Sequence, residues 1–296
     1  MIIVILYTML LLFIDSTAAK TQCLSALKQW YETMIPALFP MMLLSSILVD
    51  TGFAEKIGRL CNKTLLRFLK ISDAGCYCLL TGFFFGFPMG AKTTSDLLRK
   101  QRIAPKEAEY LLAFINCIGP MYTLNLIHKL FPQQELWKLL VGIYGLPFLY
   151  GICIRYILYA KESFGTHSNI QSSTPRINSN FLDALYECVP KCGKSILMLG
   201  GYMVLFQISF VTLEHFLLSL NMQTIALYPL LEITGGLFLQ TQDTSLSYVL
   251  FCTTFGGACC MLQTYSFLKP AGISMKKYVL HKTILACIAF LLGNLI

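Results

Sequence analysis

The positive charge of this 296-residue chain is confined to short polar gaps between long apolar runs. Of its 23 Lys and Arg residues, 19 lie in four gaps: Lys56 to Lys70, Lys92 to Lys106, Arg155 to Lys194 and Lys269 to Lys282. Elsewhere there are only Lys20, Lys28, Lys129 and Lys138. Loops rich in Lys and Arg stay on the cytoplasmic side of a membrane. The four basic gaps therefore share one face, and each apolar run between them acquires a direction. Where neighbouring gaps share a face across a single apolar segment, that segment has to dip into the bilayer and return.

Composition agrees with a membrane chain. Apolar residues make up 56% and charged residues 13%, and the mean hydropathy is +0.64. A soluble domain is excluded. The net charge of +8 reads as loop charge beside lipid headgroups, so nucleic acid is not an expected partner. The twelve cysteines lie mostly inside apolar runs, where a thiol packs as a small hydrophobe. Cys76-x-Cys78, Cys188-x3-Cys192 and Cys259-Cys260 have no histidine at ligand spacing, so no metal is expected. The histidines His128, His167, His215 and His281 pair with no cysteine or carboxylate in a catalytic pattern, and no enzyme is expected. Ile2 to Ile14 is apolar but no Lys or Arg precedes it, which favours an uncleaved N-terminal span over a signal peptide.

The expected fold is all-α and polytopic. Met34 to Thr51 crosses inward to a basic amphipathic stretch, Ala54 to Lys70, read as a helix in the interface. In it Ile57, Leu60, Leu65, Phe68 and Leu69 oppose Lys56, Arg59, Lys63 and Arg67. Cys76 to Ala91 is too short to span and reads as a re-entrant hairpin, with Gly82, Gly86 and Gly90 giving one arm a smooth packing face. Lys106 to Ile127 crosses outward, broken at Asn116 to Pro120, and Leu136 to Tyr159 returns. In the second half Ile196 to Leu218 crosses outward and Leu227 to Gln240 is a second dip, interrupted at Gly235-Gly236. Leu246 to Leu268 crosses back and Tyr278 to Ile296 crosses outward.

The two halves look alike. Thr81-Gly82 parallels Thr234-Gly235, and Phe114-x4-Gly119-Pro120 parallels Phe251-x4-Gly256-Gly257. Three crossings and one dip per half make the second copy upside down, the arrangement of inverted-repeat carriers. The domain division is 1–26, an N-terminal span and connector; 27–160, the first repeat; 161–180, a polar cytoplasmic linker; and 181–296, the inverted second repeat.

Polar residues within the apolar belt mark the expected site: Asn116, Glu232, Thr234 and Gln263. An ionised carboxylate at mid-membrane costs about 2.5–3.5 kcal/mol on the insertion scale, so Glu232 must be paired, protonated or wet. It is the candidate for coupling to a proton or a sodium ion; its bland alternative is a dip end touching headgroups. Breaks at Gly119-Pro120 and Gly256-Gly257 expose N–H and C=O groups that suit anions and cations respectively, although each break alone is also explained as a packing kink. Gly86 to Thr93 is not a phosphate loop, because Ala91 separates Gly90 from Lys92. Lys92 leaves the first dip either towards an anionic substrate or towards headgroups. The full set expected to bind substrate is Pro88, Gly90, Lys92, Asn116, Gly119, Pro120, Glu232, Thr234, Gly235, Gly256, Gly257 and Gln263.

The run Leu79 to Leu98, with Thr81-Gly-Phe-Phe-Phe-Gly-Phe-Pro-Met-Gly-Ala-Lys92, and the run Pro105 to Pro120 resemble the YlbJ-type sporulation integral membrane proteins. These belong to the nucleoside-recognition Gate group related to concentrative nucleoside carriers. Leu230-Leu-Glu-Ile-Thr-Gly-Gly236 and Phe255-Gly-Gly257, followed by Gln263 and Ser266, extend the resemblance, which covers roughly Leu27 to Leu292. The chain departs from the family pattern at Cys117, where a second asparagine is expected, and at Gly235, where asparagine is expected. The resemblance implies a transporter of endospore-forming bacteria in the cell or spore membrane, with dipicolinate the first substrate guess. A nucleoside carrier and a non-transporting assembly protein of the spore membranes are the alternatives. Expected partners are the bilayer, a small-molecule substrate and a second copy of the chain.

Overall fold

A computed structural model of the protein describes residues 9, 16–63, 67–124, 130, 136–164, 181–218, 225–240 and 244–295. Among these the chain is helical and contains no strands. The expected N-terminal span, save Met9, and linker residues 165–180 lie outside the described residues.

The chain is helical from Ser16. Helix α1 (Ser16–Gln29) passes through a π-helical turn at Trp30–Met34 into α2 (Ile35–Thr51). The wide turn precedes Pro36 and Pro40, which withhold backbone donors from the ladder. Residues 26 and 27, the expected first domain boundary, both lie within α1. Gly52, at φ 77°, ends α2 in the left-handed conformation that glycine adopts without strain.

Helix α3 (Phe53–Cys61) follows. It turns Ala54 and Gly58 to the protein, where Gly58 lets the Asp73 carbonyl approach closer than any side chain would allow. Phe53, Ile57 and Leu60 stay exposed beside Lys56 and Arg59. Of the apolar face foreseen from sequence, Ile57, Leu60 and Phe68 point away from the protein and Leu69 is buried in it, and the packing face of α3 is made of small residues.

Helices α4 (Asp73–Phe84) and α5 (Met89–Arg99) form an antiparallel hairpin with its tip at 85–88. Ser72 caps α4 by accepting from Gly75 N at 2.9 Å. The glycines do not line one arm, as expected from their spacing. Gly82 lies in α4, Gly86 in the tip and Gly90 in α5, and all three face the interrupted stretch that follows. That stretch begins with α6 (Pro105–Leu112), loses helical form through 115–119 and resumes at Pro120–Tyr122. Pro120 disfavours helical backbone at Gly119, whose φ and ψ are −73° and 145°.

Helices α7 (Leu136–Leu140) and α8 (Leu146–Ile157) are joined by a second π-helical turn, and α9 (Phe181–Leu218) is one continuous helix. Short helices α10 (Tyr228–Leu231) and α11 (Ile233–Phe238) meet at Glu232. The interruption expected at Gly235-Gly236 thus falls earlier, at a residue with extended backbone. The glycines lie inside α11 and serve close packing: a Cβ on Gly236 would meet the Pro229 backbone at 2.6 Å. Thr234-Gly235 opens α11 whereas Thr81-Gly82 lies near the end of α4, so the two pairs occupy different places in their units. Helices α12 (Leu246–Phe255) and α13 (Gly257–Leu268) are divided at Gly256, and α14 (Met275–Gly293) runs antiparallel along α12.

Ion pairs gather the basic gaps at one end of the bundle. Arg59 meets Asp73 at 2.8 Å, Arg102 meets Glu55 at 2.9 Å, and Lys277 meets Glu109 at 2.8 Å. Lys100 and Lys191 share Asp50. The α4–α5 hairpin is thereby held at both ends, Asp73 to α3 and Lys100 to the end of α2. The α10–α11 unit lies towards the opposite end, where Tyr248 donates to Ala226 O, and Ser247 donates to Asn294 Oδ1 at 2.7 Å.

Three of the gap cations are not gap residues. Lys92, Arg155 and Lys282 are buried at 6%, 3% and 1% exposure. Arg155 ties down chain ends, donating to the carbonyls of Leu69 at 2.8 Å and Glu162 at 3.0 Å and also to Tyr159 O. Among the described residues, Ser16–Thr51, Trp137–Ile157, Phe181–Val211 and Leu246–Ala271 are long and apolar enough to cross a membrane. The last is by far the most buried of the four and forms the interior of the bundle.

Candidate functional site

Four interruptions of the chain meet at one buried place. A Cβ on Gly86, at the hairpin tip, would lie 2.6 Å from Gly119 N in the first break. A Cβ on Gly256, in the second break, would lie 2.7 Å from the Phe87 ring, and one on Gly257 would lie 2.9 Å from Pro229 O in α10. Gly86, Gly256 and Gly257 have φ of 79°, 90° and 74°, a region open to glycine. Tyr122, just beyond the first break, donates to Ile233 O at 3.2 Å and Thr234 O at 3.0 Å. Of the expected residues, Gly90, Asn116, Gly119, Gly256 and Gly257 touch across this junction, whereas Lys92 is drawn elsewhere and Gln263 meets Cys259 of its own helix.

Asn116 is fully buried at its centre. Its amide donates to Tyr278 OH at 2.8 Å and Thr264 Oγ1 at 3.1 Å. Its side-chain oxygen is buried and meets no donor among the described residues. It faces Gly90, whose added Cβ would lie 3.3 Å away. A buried acceptor without a donor is a place that water or a ligand group would satisfy.

Glu232 is buried at 1% exposure. Its carboxylate accepts from Thr234 N at 3.0 Å and Gly235 N at 2.6 Å, capping α11. Two N–H groups and the positive end of a helix satisfy the charge locally. Lys92 leaves the junction for α2, donating to Ser46 Oγ at 2.6 Å and to Asp96 at 2.8 Å. Gln263 is buried on α13 and donates to Cys259 Sγ at 3.3 Å.

The main omission of the sequence reading is Lys282. Its ammonium donates to Asn116 O in the first break and to Thr254 O, at 3.1 Å, beside the second. It also lies 4.6 Å from the centroid of the Phe87 ring. The charge map treats Lys282 as the last residue of a gap. One signal was available: it stands four residues after Tyr278, hence on the same helix face, inside an apolar run. Phe87, Tyr278, Thr264 and Tyr122 were also missed, since aromatic and hydroxyl residues are common throughout such helices.

The chain is similar to the sporulation integral membrane protein YlbJ of Bacillus subtilis (strain 168), with 26% identity over 209 residues, 64% of this chain. It spans 50% of that relative's length. No family model and no solved structure matches the chain. The resemblance read from the hairpin and first-break motifs is thus supported by a relative of that description, and together with the long apolar helices it places this chain among integral membrane proteins.

Proposed function

We propose that the chain is a carrier that moves a small anionic or heteroaromatic solute across a bacterial cell or spore membrane by alternating exposure of the central junction. In this reading it consists of two inverted repeats. The α4–α5 hairpin enters the bilayer from the basic end and α10–α11 enters from the other. The observation that carries the proposal is the meeting of four interruptions beside Asn116, whose buried Oδ1 has no donor among the described residues. Interrupted helices at mid-membrane leave backbone groups for solutes and ions to satisfy.

Dipicolinate is the first substrate to test, because the relative is named for sporulation; Asn116 Oδ1 is an acceptor, so it would meet a carboxyl group of that solute in its protonated form. A nucleoside is the second, through the Gate resemblance. Glu232 is the candidate for proton coupling: protonation would remove acceptor strength from the α11 cap. The test is uptake of radiolabelled dipicolinate and of a nucleoside into proteoliposomes. The wild-type protein is expected to accumulate one of them, and Asn116→Ala to lose about tenfold or more, as expected from a lost buried hydrogen-bonding centre. If neither solute accumulates and neither shifts the unfolding temperature, an assembly role in the spore membranes replaces the carrier reading.

A further inference from the structure

The geometry points to Lys282 as a resident cation, a tethered ammonium that occupies the place where the carbonyl ends of two broken helices would otherwise hold a sodium ion. Its transport consequence rests on the carrier reading above; its structural content does not.

A break in a membrane helix leaves carbonyl oxygens without helical donors. In carriers built from broken helices, such carbonyl ends are the groups that coordinate the coupling cation. Here the carbonyls of Asn116 and Thr254 come from different breaks, far apart in sequence, and both point at one nitrogen. The face of Phe87, from the hairpin tip, offers a third cation-binding surface at 4.6 Å. Two carbonyl oxygens and an aromatic face around a single positive charge form a cation site, and its occupant is covalently part of α14. Among the described residues no carboxylate comes within ion-pair distance of Lys282. It is therefore held by dipoles, as a free ion at a helix break would be. Lysine suits the role because its ammonium is a compact charge with three donors on a flexible stem.

A tethered cation makes a dissolved one unnecessary. The wild-type protein is expected to unfold at the same temperature in NaCl and in choline chloride of equal ionic strength. Lys282→Ala empties the place between the two carbonyls. That variant should unfold at a lower temperature in choline chloride and recover at least about 3 °C in NaCl, the signature of a ligand that binds the folded state alone. Lys282→Met fills the space without charge and should show the loss without recovery. A sodium-specific rise in the wild-type protein overturns the assignment, whether or not any variant folds. So does Lys282→Ala that is destabilised yet indifferent to sodium, which would make Lys282 a plain internal staple. No substrate enters these measurements, so they stand or fall separately from the uptake assay.

Discussion

The first break and the second solve the same problem at different lengths. Between α6 and Pro120 the backbone leaves the helix for 115–119, and its polar groups are met from outside by α13 and α14. Between α12 and α13 two left-handed glycines, Gly256 and Gly257, suffice, and helix resumes at once. The neighbouring hairpins differ in the same sense. Helices α4 and α5 run 12 and 11 residues, whereas α10 and α11 run 4 and 6 and are held by the Glu232 cap. A long break depends on distant partners, so the first half holds its shape through the second. The α10–α11 unit, with its self-made cap, depends mainly on its own residues.

Substitution of the glycines tests that contrast most severely. At Gly86 an added Cβ meets the backbone of Gly119, which cannot move aside, and the φ is left-handed. Gly86→Ala should lose about 3 kcal/mol or more, read as loss of the folded peak in detergent size exclusion. At Gly256 the obstacle is the edge of the Phe87 ring, which can turn. Gly256→Ala should lose about 1–2 kcal/mol; equal losses at the two positions would abolish the distinction.

Lys282→Met comes next. It leaves two buried carbonyls without a donor, at about 1–3 kcal/mol each, and thermal unfolding should show the loss. Because one carbonyl belongs to each break, limited proteolysis should cut both sooner. Cleavage confined to 115–119 would confine the dependence on Lys282 to the longer break.

Glu232→Ala removes a cap and should cost about 1–2 kcal/mol. Glu232→Gln keeps one acceptor and should cost less by the same unfolding measurement. If the two substitutions are equally harmful, the carboxylate does more than cap α11. In the carrier reading, Glu232→Gln should also flatten the pH dependence of uptake.

The smallest effect is expected at the basic end. Lys277 is 52% exposed in its pair with Glu109, so Glu109→Ala should shift stability by less than about 1 kcal/mol, and by less still at high salt. A larger, salt-resistant loss would make this end as rigid as the junction.

Much of this was legible in the chain, and the misses have common causes. Helix length and apolarity were readable for the segments within Ser16–Thr51, Trp137–Ile157, Phe181–Val211 and Leu246–Ala271 because lipid acts on every residue of a span alike, whereas the expected crossings Lys106 to Ile127 and Tyr278 to Ile296 are not among the described helices long and apolar enough to cross. The breaks at 116–120 and 256–257 were readable because Pro and paired Gly act locally on their own backbone. The interruption at Glu232 was not, since Gly235-Gly236 is the stronger local signal and the observed break depends on a carboxylate reaching forward to two N–H groups. Lys282 was hidden for another reason. A lysine close to a basic gap looks like part of it, and only the convergence of two breaks on its ammonium reveals an interior role. The glycine spacing 82, 86, 90 suggested one helical stripe, but the chain reverses within it.

Asp50 accepts Lys100 from the end of the α4–α5 hairpin and Lys191 from the long helix α9. Two parts of the chain nearly a hundred residues apart are thus moored to a single carboxylate at the foot of α2. Any swing of α9 away from the hairpin has its fulcrum there, and the widest travel falls at the far end, over α10 and α11.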